Sequence, residues 1–107
     1  MEVGKVVTAL QALAQPSRLE VFRLLVRQGP RGLPAGEVAR RVGIPQATLS
    51  FHLSQLGHAG LVRGRRAGRS IIYAADYAAM RAVLDFLTEN CCQEGVCAPP
   101  RARKREP

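Results

Sequence analysis

The corner Gly43-Ile44-Pro45 restricts more than any other feature what this chain can fold into. Glycine ends a helix in left-handed backbone and proline suits the opening of the next, so the tripeptide predicts a tight corner between two helices. Upstream, Pro34 to Val42 carries Val38, Ala39 and Val42 along one side of a short helix, with Pro34 suited to its first position. Downstream, Gln46 to Ala59 places Leu49, Leu53 and Leu56 at helical spacing and stops at Gly60. Two helices joined in this way form a helix-turn-helix.

From Leu61 the period changes. Val62 to Arg66 and Ser70 to Ala74 read as two strands around Ala67-Gly68, a hairpin with glycine where positive φ is needed. A hairpin behind a helix-turn-helix is a wing. Three more helices complete the expected winged helix-turn-helix, a mainly α fold with one small β-hairpin. Val3 to Ala14 shows one stripe, Val3, Val6, Val7, Leu10 and Leu13. Pro16-Ser17 opens a densely apolar segment that closes at Gly29-Pro30, and Asp76 caps a last helix running to about Asn90.

That last helix carries two neighbouring apolar stripes, 80/84/87 and 79/83/86, too wide for one small core. The stripe of the first helix has no evident local partner. The two helices are therefore expected to pack across a homodimer interface, the alternative being that both fold onto their own domain. Residues 1–92 are expected to form the DNA-binding and dimerisation domain, and 93–107 a flexible basic tail holding a cysteine.

Sixteen Lys and Arg against eight Asp and Glu give this 107-residue chain a formal charge of +8, which favours a polyanionic partner. A membrane partner is disfavoured, because no apolar run approaches the ~20 residues of a spanning helix. A cytoplasmic location is the expectation. Catalysis is not expected: no Ser/His/Asp set or paired carboxylates are evident, and both histidines lie on the helix after the corner.

Taking Leu49 as the inward direction, a step of about 100° per residue turns Ala47, Ser50, Phe51, Ser54 and His58 outward, with Thr48 and Gln55 at a flank. Gln pairs bidentately with adenine, Ser and Thr serve either base type, and an apolar group such as Phe51 touches a thymine methyl. The candidate base-reading set is Gln46, Ala47, Thr48, Ser50, Phe51, His52 and Ser54, on double-stranded operator DNA. Within it, His52 sits at the boundary, about 60° from the inward direction, hydrogen-bonded locally or to a phosphate. This helix has no cations, so phosphate charge falls to Arg63, Arg65, Arg66 and Arg69 in the hairpin. The bland alternatives are a solvated helix face and arginines that protect a sheet edge.

The run QATLSFHLSQLGHAGLV followed by RGRRAGRSIIYAA, with ALAQPSRLEVFRLL upstream, resembles the ArsR/SmtB family of winged-helix repressors. The resemblance covers roughly residues 6–87. It implies a homodimer on a palindromic operator, and an inducer that weakens DNA binding.

Cysteine occurs only at Cys91, Cys92 and Cys97, at or past the end of the last helix. Adjacent thiols on a helix diverge by about 100°, so both can face one ligand only where the helix frays. Three thiolates without a nearby histidine suit a soft, three-coordinate centre, trivalent arsenic or antimony, whereas structural zinc wants four ligands. The family's arsenite sensors with a cysteine pair before the corner are not matched, since that segment reads LPAGEVARRV. Its zinc sensors are not matched either, because Asp76-Tyr77-Ala78 lacks their histidine. The resemblance is to arsenite-responsive members with C-terminal cysteines, which implies arsenite as inducer, with antimonite as a second candidate. Two further readings are a thiol redox sensor of the same fold and a constitutive nucleic-acid-binding winged helix.

Overall fold

The computed structural model describes residues 1–96. In chain order the elements are α1 (Val3–Leu13), α2 (Pro16–Gln28), β1 (Leu33–Pro34), α3 (Ala35–Val42), α4 (Gln46–His58), β2 (Val62–Ala67), β3 (Ser70–Ala75) and α5 (Tyr77–Thr88). The architecture is the winged helix-turn-helix expected from the sequence. No helix among the described residues is long and apolar enough to cross a membrane.

The corner between α3 and α4 works through Gly43, at φ 80° and ψ 38°. Its N–H and that of Ile44 both donate to the Ala39 carbonyl, at 2.8 and 3.2 Å, closing the carbonyl end of α3. Pro45 then precedes α4 in extended backbone. Behind the corner, Val21, Leu25, Val38, Leu49, Leu56 and Leu61 are almost wholly buried. They join α2, α3, α4 and the start of the wing, and each buried side chain of this size contributes about 1.5–3 kcal/mol.

The sheet has one strand more than the sequence predicted. β1 pairs antiparallel with β3 through Leu33↔Tyr73 and Pro34↔Ile72, giving the strand order β1-β3-β2. Two residues leave no alternation to read, and Pro34, predicted to open α3, is its N-cap in extended backbone instead. Lacking an N–H, proline fits this edge position. Gly32 makes the approach feasible: a Cβ there would stand 2.2 Å from the Tyr73 carbonyl oxygen.

The wing pairs Val62↔Ala75 through Ala67↔Ser70 around a two-residue turn, with Gly68 first at φ 63°. That is the pattern of a II′ hairpin turn. Asp76 caps α5 as expected, its Oδ1 accepting from the Ala79 N–H at 3.0 Å. The helix ends at Thr88, short of the expected Asn90, and Asn90 and Cys92 take left-handed backbone at φ 58° and 62°.

The apolar stripe of α1 divides. Val6, Ala9 and Ala12 face the core, while Val3, Val7 and Leu10 remain exposed. On α5, Val83 is buried with Ala79 and Phe86 packed beside it, and Leu84 and Leu87 are exposed.

Candidate nucleic-acid interface and thiol pair

One side of α4 is neutral and open. Gln46, Ala47, Thr48, Ser50, Phe51, Ser54 and His58 are all exposed, Phe51 by 58%. Gln46 lies against the first turn of α3, where a Cβ on Gly36 would come within 3.1 Å of its Nε2. His52 departs from the rest of the reading set. It is buried, 6% exposed, and its Nδ1 lies 3.3 Å from Nη1 of Arg18 on α2. The inward half of the helix takes it, and its ring makes the local contact that is one of its two expected roles. Burial pushes its pKa below the ordinary 6.5, and the Arg18 charge pushes the same way.

The four wing arginines divide by strand alternation, because successive residues of β2 point to opposite faces. Arg63 donates through Nε to Asp76 Oδ2 at 3.0 Å, and Arg65 donates through Nη2 to the Arg31 carbonyl at 2.9 Å. On the other face, Gly64 leaves room for the Tyr73 ring: a Cβ there would stand 2.9 Å from its Cε1. Arg66 follows on that face and, with Tyr73, lines the groove against Ser50, Ser54 and His58 of α4. Arg69, at the tip, borders the adjoining cleft with Gln46 and Ser50. The side chains of Arg66 and Arg69 make no hydrogen bond or ion pair among the described residues. Arg65 borders the same groove but donates to the Arg31 carbonyl, and Arg63 is held by Asp76, so the cations beside the neutral helix face with uncommitted side chains are Arg66 and Arg69.

Other charges are also committed. Glu37 of α3 accepts from Arg40 and Arg41, the latter at 2.8 Å, and these bonds hold its carboxyl down at about 2. The Asp76 carboxyl lies below its ordinary 3.8, first because of the Ala79 N–H and then through Arg63. The cap itself was legible. Its second partner, thirteen residues earlier, depends on the return of β3 and had no sequence signal.

Beyond α5, Cys91 and Cys92 are exposed with their Sγ atoms 3.6 Å apart. Cys97 lies outside the described residues, as does most of the expected tail. Among the described residues, no group of three or more His, Cys, Asp or Glu stands close enough to hold a metal ion.

An uncharged helix face set beside two open arginines on a wing defines a winged-helix DNA-binding regulator. A family model described as a helix-turn-helix domain matches residues 13–65. The chain belongs to the ArsR/SmtB family of winged-helix transcriptional regulators. It is 46% identical over 71 residues to the HTH-type transcriptional regulator NmtR of Mycobacterium tuberculosis, a match covering 66% of this chain and 57% of that protein. The transcriptional activator HlyU of Vibrio cholerae is 30% identical over 90 residues, covering 84% of this chain and 81% of HlyU, and its solved structure superposes with a TM-score of 0.67. A homodimeric winged helix-turn-helix DNA-binding domain from Mycobacterium bovis is 26% identical, covers 90% of this chain and 89% of that one, and gives 0.65. NmtR and HlyU are named as transcription regulators, not as enzymes.

Proposed function

We propose that the chain is a homodimeric repressor that leaves its operator when trivalent arsenic, or antimony, is captured by Cys91, Cys92 and Cys97. The observation that carries this reading is the 3.6 Å separation of the Cys91 and Cys92 sulfurs at the end of α5. Two thiolates bound to one thiophilic centre stand less than about 4 Å apart, so the pair sits near chelating distance without help from the rest of the chain. Thiolates select soft, thiophilic ions and exclude hard cations. Cys97 follows five residues later in the sequence.

The donor set argues against zinc. The acidic residue at the head of α5, Asp76, is already engaged by the Ala79 N–H and Arg63, and no histidine accompanies it. A direct Cys91–Cys92 disulfide is also disfavoured. Adjacent Cα atoms lie about 3.8 Å apart, below the 4.4–6.8 Å usual for disulfides. A redox version of the switch would instead join Cys97 to one of the pair.

The homodimer reading rests on the exposed stripe Val3, Val7 and Leu10 on α1 together with Leu84 and Leu87 on α5. Because the thiol pair follows directly on α5, which supplies part of that face, ordering of residues 89–92 bears on the spacing of two reading heads. The deciding experiment is a DNA-binding assay on the promoter upstream of the chain's own gene, with and without arsenite. Arsenite should release the DNA from the wild type and leave Cys91→Ser bound. A Cys97→Ser variant that still takes up arsenite and releases DNA as the wild type does would remove the three-thiolate model. Release by oxidant alone, with arsenite inert, would establish the redox reading.

A further inference from the structure

We propose that Arg18 and His52 form a positioning link that fixes the attitude of the reading helix α4 against the end of α1, and that base discrimination requires His52 in its neutral form. Arg18 is placed firmly. Its backbone N–H donates to the Gln15 side chain at 2.8 Å in the first turn of α2, just after Pro16. From there its guanidinium reaches two other elements: Nε donates to the Ala12 carbonyl in the last turn of α1 at 2.7 Å, and Nη1 stands 3.3 Å from His52 Nδ1. One side chain thus ties α1, α2 and α4 together.

The chemistry of the link dictates a protonation state. A guanidinium offers only donors and stays charged, so His52 Nδ1 must present its lone pair and Nε2 must carry the ring proton. A second proton would set N–H against N–H and place two positive charges beside each other in a buried site. His52 is the one buried polar side chain among the described residues. Arg18, from α2, is the charged side chain among the described residues that bears on it.

Two features make this link bear on reading rather than on folding alone. His52 immediately follows the exposed Phe51, with ring centroids 5.8 Å apart, so its seating also sets the seating of a residue on the reading face. At the other end, α1 carries the exposed stripe Val3, Val7 and Leu10, so displacement of α1 would act on α4 through this guanidinium as well as through their shared core packing. In this link both Arg18 and His52 act through α4 and are positioning residues.

The test compares preference, not bare affinity. A duplex enriched from a random pool by the wild-type protein is competed against an unrelated duplex from about pH 8 to about pH 5.5, the range in which a histidine can change charge. Every protein carries His58→Gln, so that the exposed imidazole on the same helix does not titrate. In the parent, preference should fall about tenfold over that range, the equivalent of one pKa unit of coupling. His52→Asn places an amide oxygen where Nδ1 accepts and has no proton to gain, so its profile should be flat and close to the parent's high-pH value. Arg18→Met should lose preference at every pH while binding unrelated DNA undiminished. A His52→Asn profile that follows the parent's slope would overturn the proposal, as would an Arg18→Met protein with full preference. If Arg18→Met does not fold, the parent and His52→Asn profiles decide the matter by themselves.

Discussion

The helices α4 and α5 have nearly the same length, 13 and 12 residues, and opposite economies of surface. α4 buries Leu49, His52, Leu53 and Leu56 and turns a neutral, mostly polar face outward. α5 fully buries only Val83 and leaves Leu84 and Leu87 exposed by 44% and 56%. The first helix is finished within one chain. The second, with the exposed stripe of α1, presents apolar surface that a single chain does not cover, the mark of an interaction surface. The part that reads DNA is thus held by local packing, and the part proposed to respond is left to assembly.

The comparison can be broken most sharply in the core. Leu56→Ala should cost about 2–5 kcal/mol in denaturant unfolding, and the loss should not depend on protein concentration. A loss below about 1 kcal/mol would mean that α4 is not seated as described. The matching change on α5, Leu84→Glu with Leu87→Glu, should hardly alter the fold of one chain. It should convert the protein to a monomer in sedimentation and lower operator affinity about a hundredfold, since each half-site then binds alone. A double variant that sediments and binds as the wild type does would show that α5 is complete by itself.

The same contrast explains what the sequence reveals. The corner at Gly43, the stop at Gly60, the cap at Asp76 and the hairpin at Gly68 are local, and each is legible because its backbone demand admits few residue types. The outward set on α4 is legible from helical period alone, with one exception. His52 lies where period leaves a residue at the boundary, and an arginine 34 positions away draws it inside. Contacts of that kind have no periodic signature. Nor do β1, which is too short to alternate, and the Arg63–Asp76 pair, which depends on two strands returning side by side. The 3.6 Å approach of Cys91 and Cys92 arises from the end of α5 at Thr88 and the left-handed Cys92, two residues earlier than the apolar pattern suggested.

Asp76 joins the two halves, capping α5 with one oxygen and holding the wing's Arg63 with the other. Asp76→Ala should cost about 1 kcal/mol of stability, the ordinary worth of an N-cap. Its pH dependence follows from the lowered carboxyl. The folded state prefers the charged form, so the stabilisation is fully present above the ordinary 3.8 and is lost as pH falls through the lower folded value. Wild type and Asp76→Ala should therefore differ by a constant amount at neutral pH and converge in strong acid, as read by thermal unfolding across pH. A difference unchanged down to about pH 2 would mean that the carboxylate charge contributes nothing to the cap.

The smallest effect separates the two faces of the wing. Each phosphate neutralised on duplex DNA contributes about 0.9 to the slope of log affinity against log salt. Arg66→Ala and Arg69→Ala should each lower that slope by close to this amount while leaving sequence preference unchanged. Arg63→Ala should leave the slope nearly intact, because its guanidinium is held by Asp76; what it loses is an exposed ion pair, worth at most about 1 kcal/mol. Should Arg63→Ala lower the slope as far as Arg66→Ala does, the clasp on Asp76 must open when DNA arrives. The cap of α5 would then be tied to phosphate binding, and the division between a self-contained reading half and a responsive half would no longer hold.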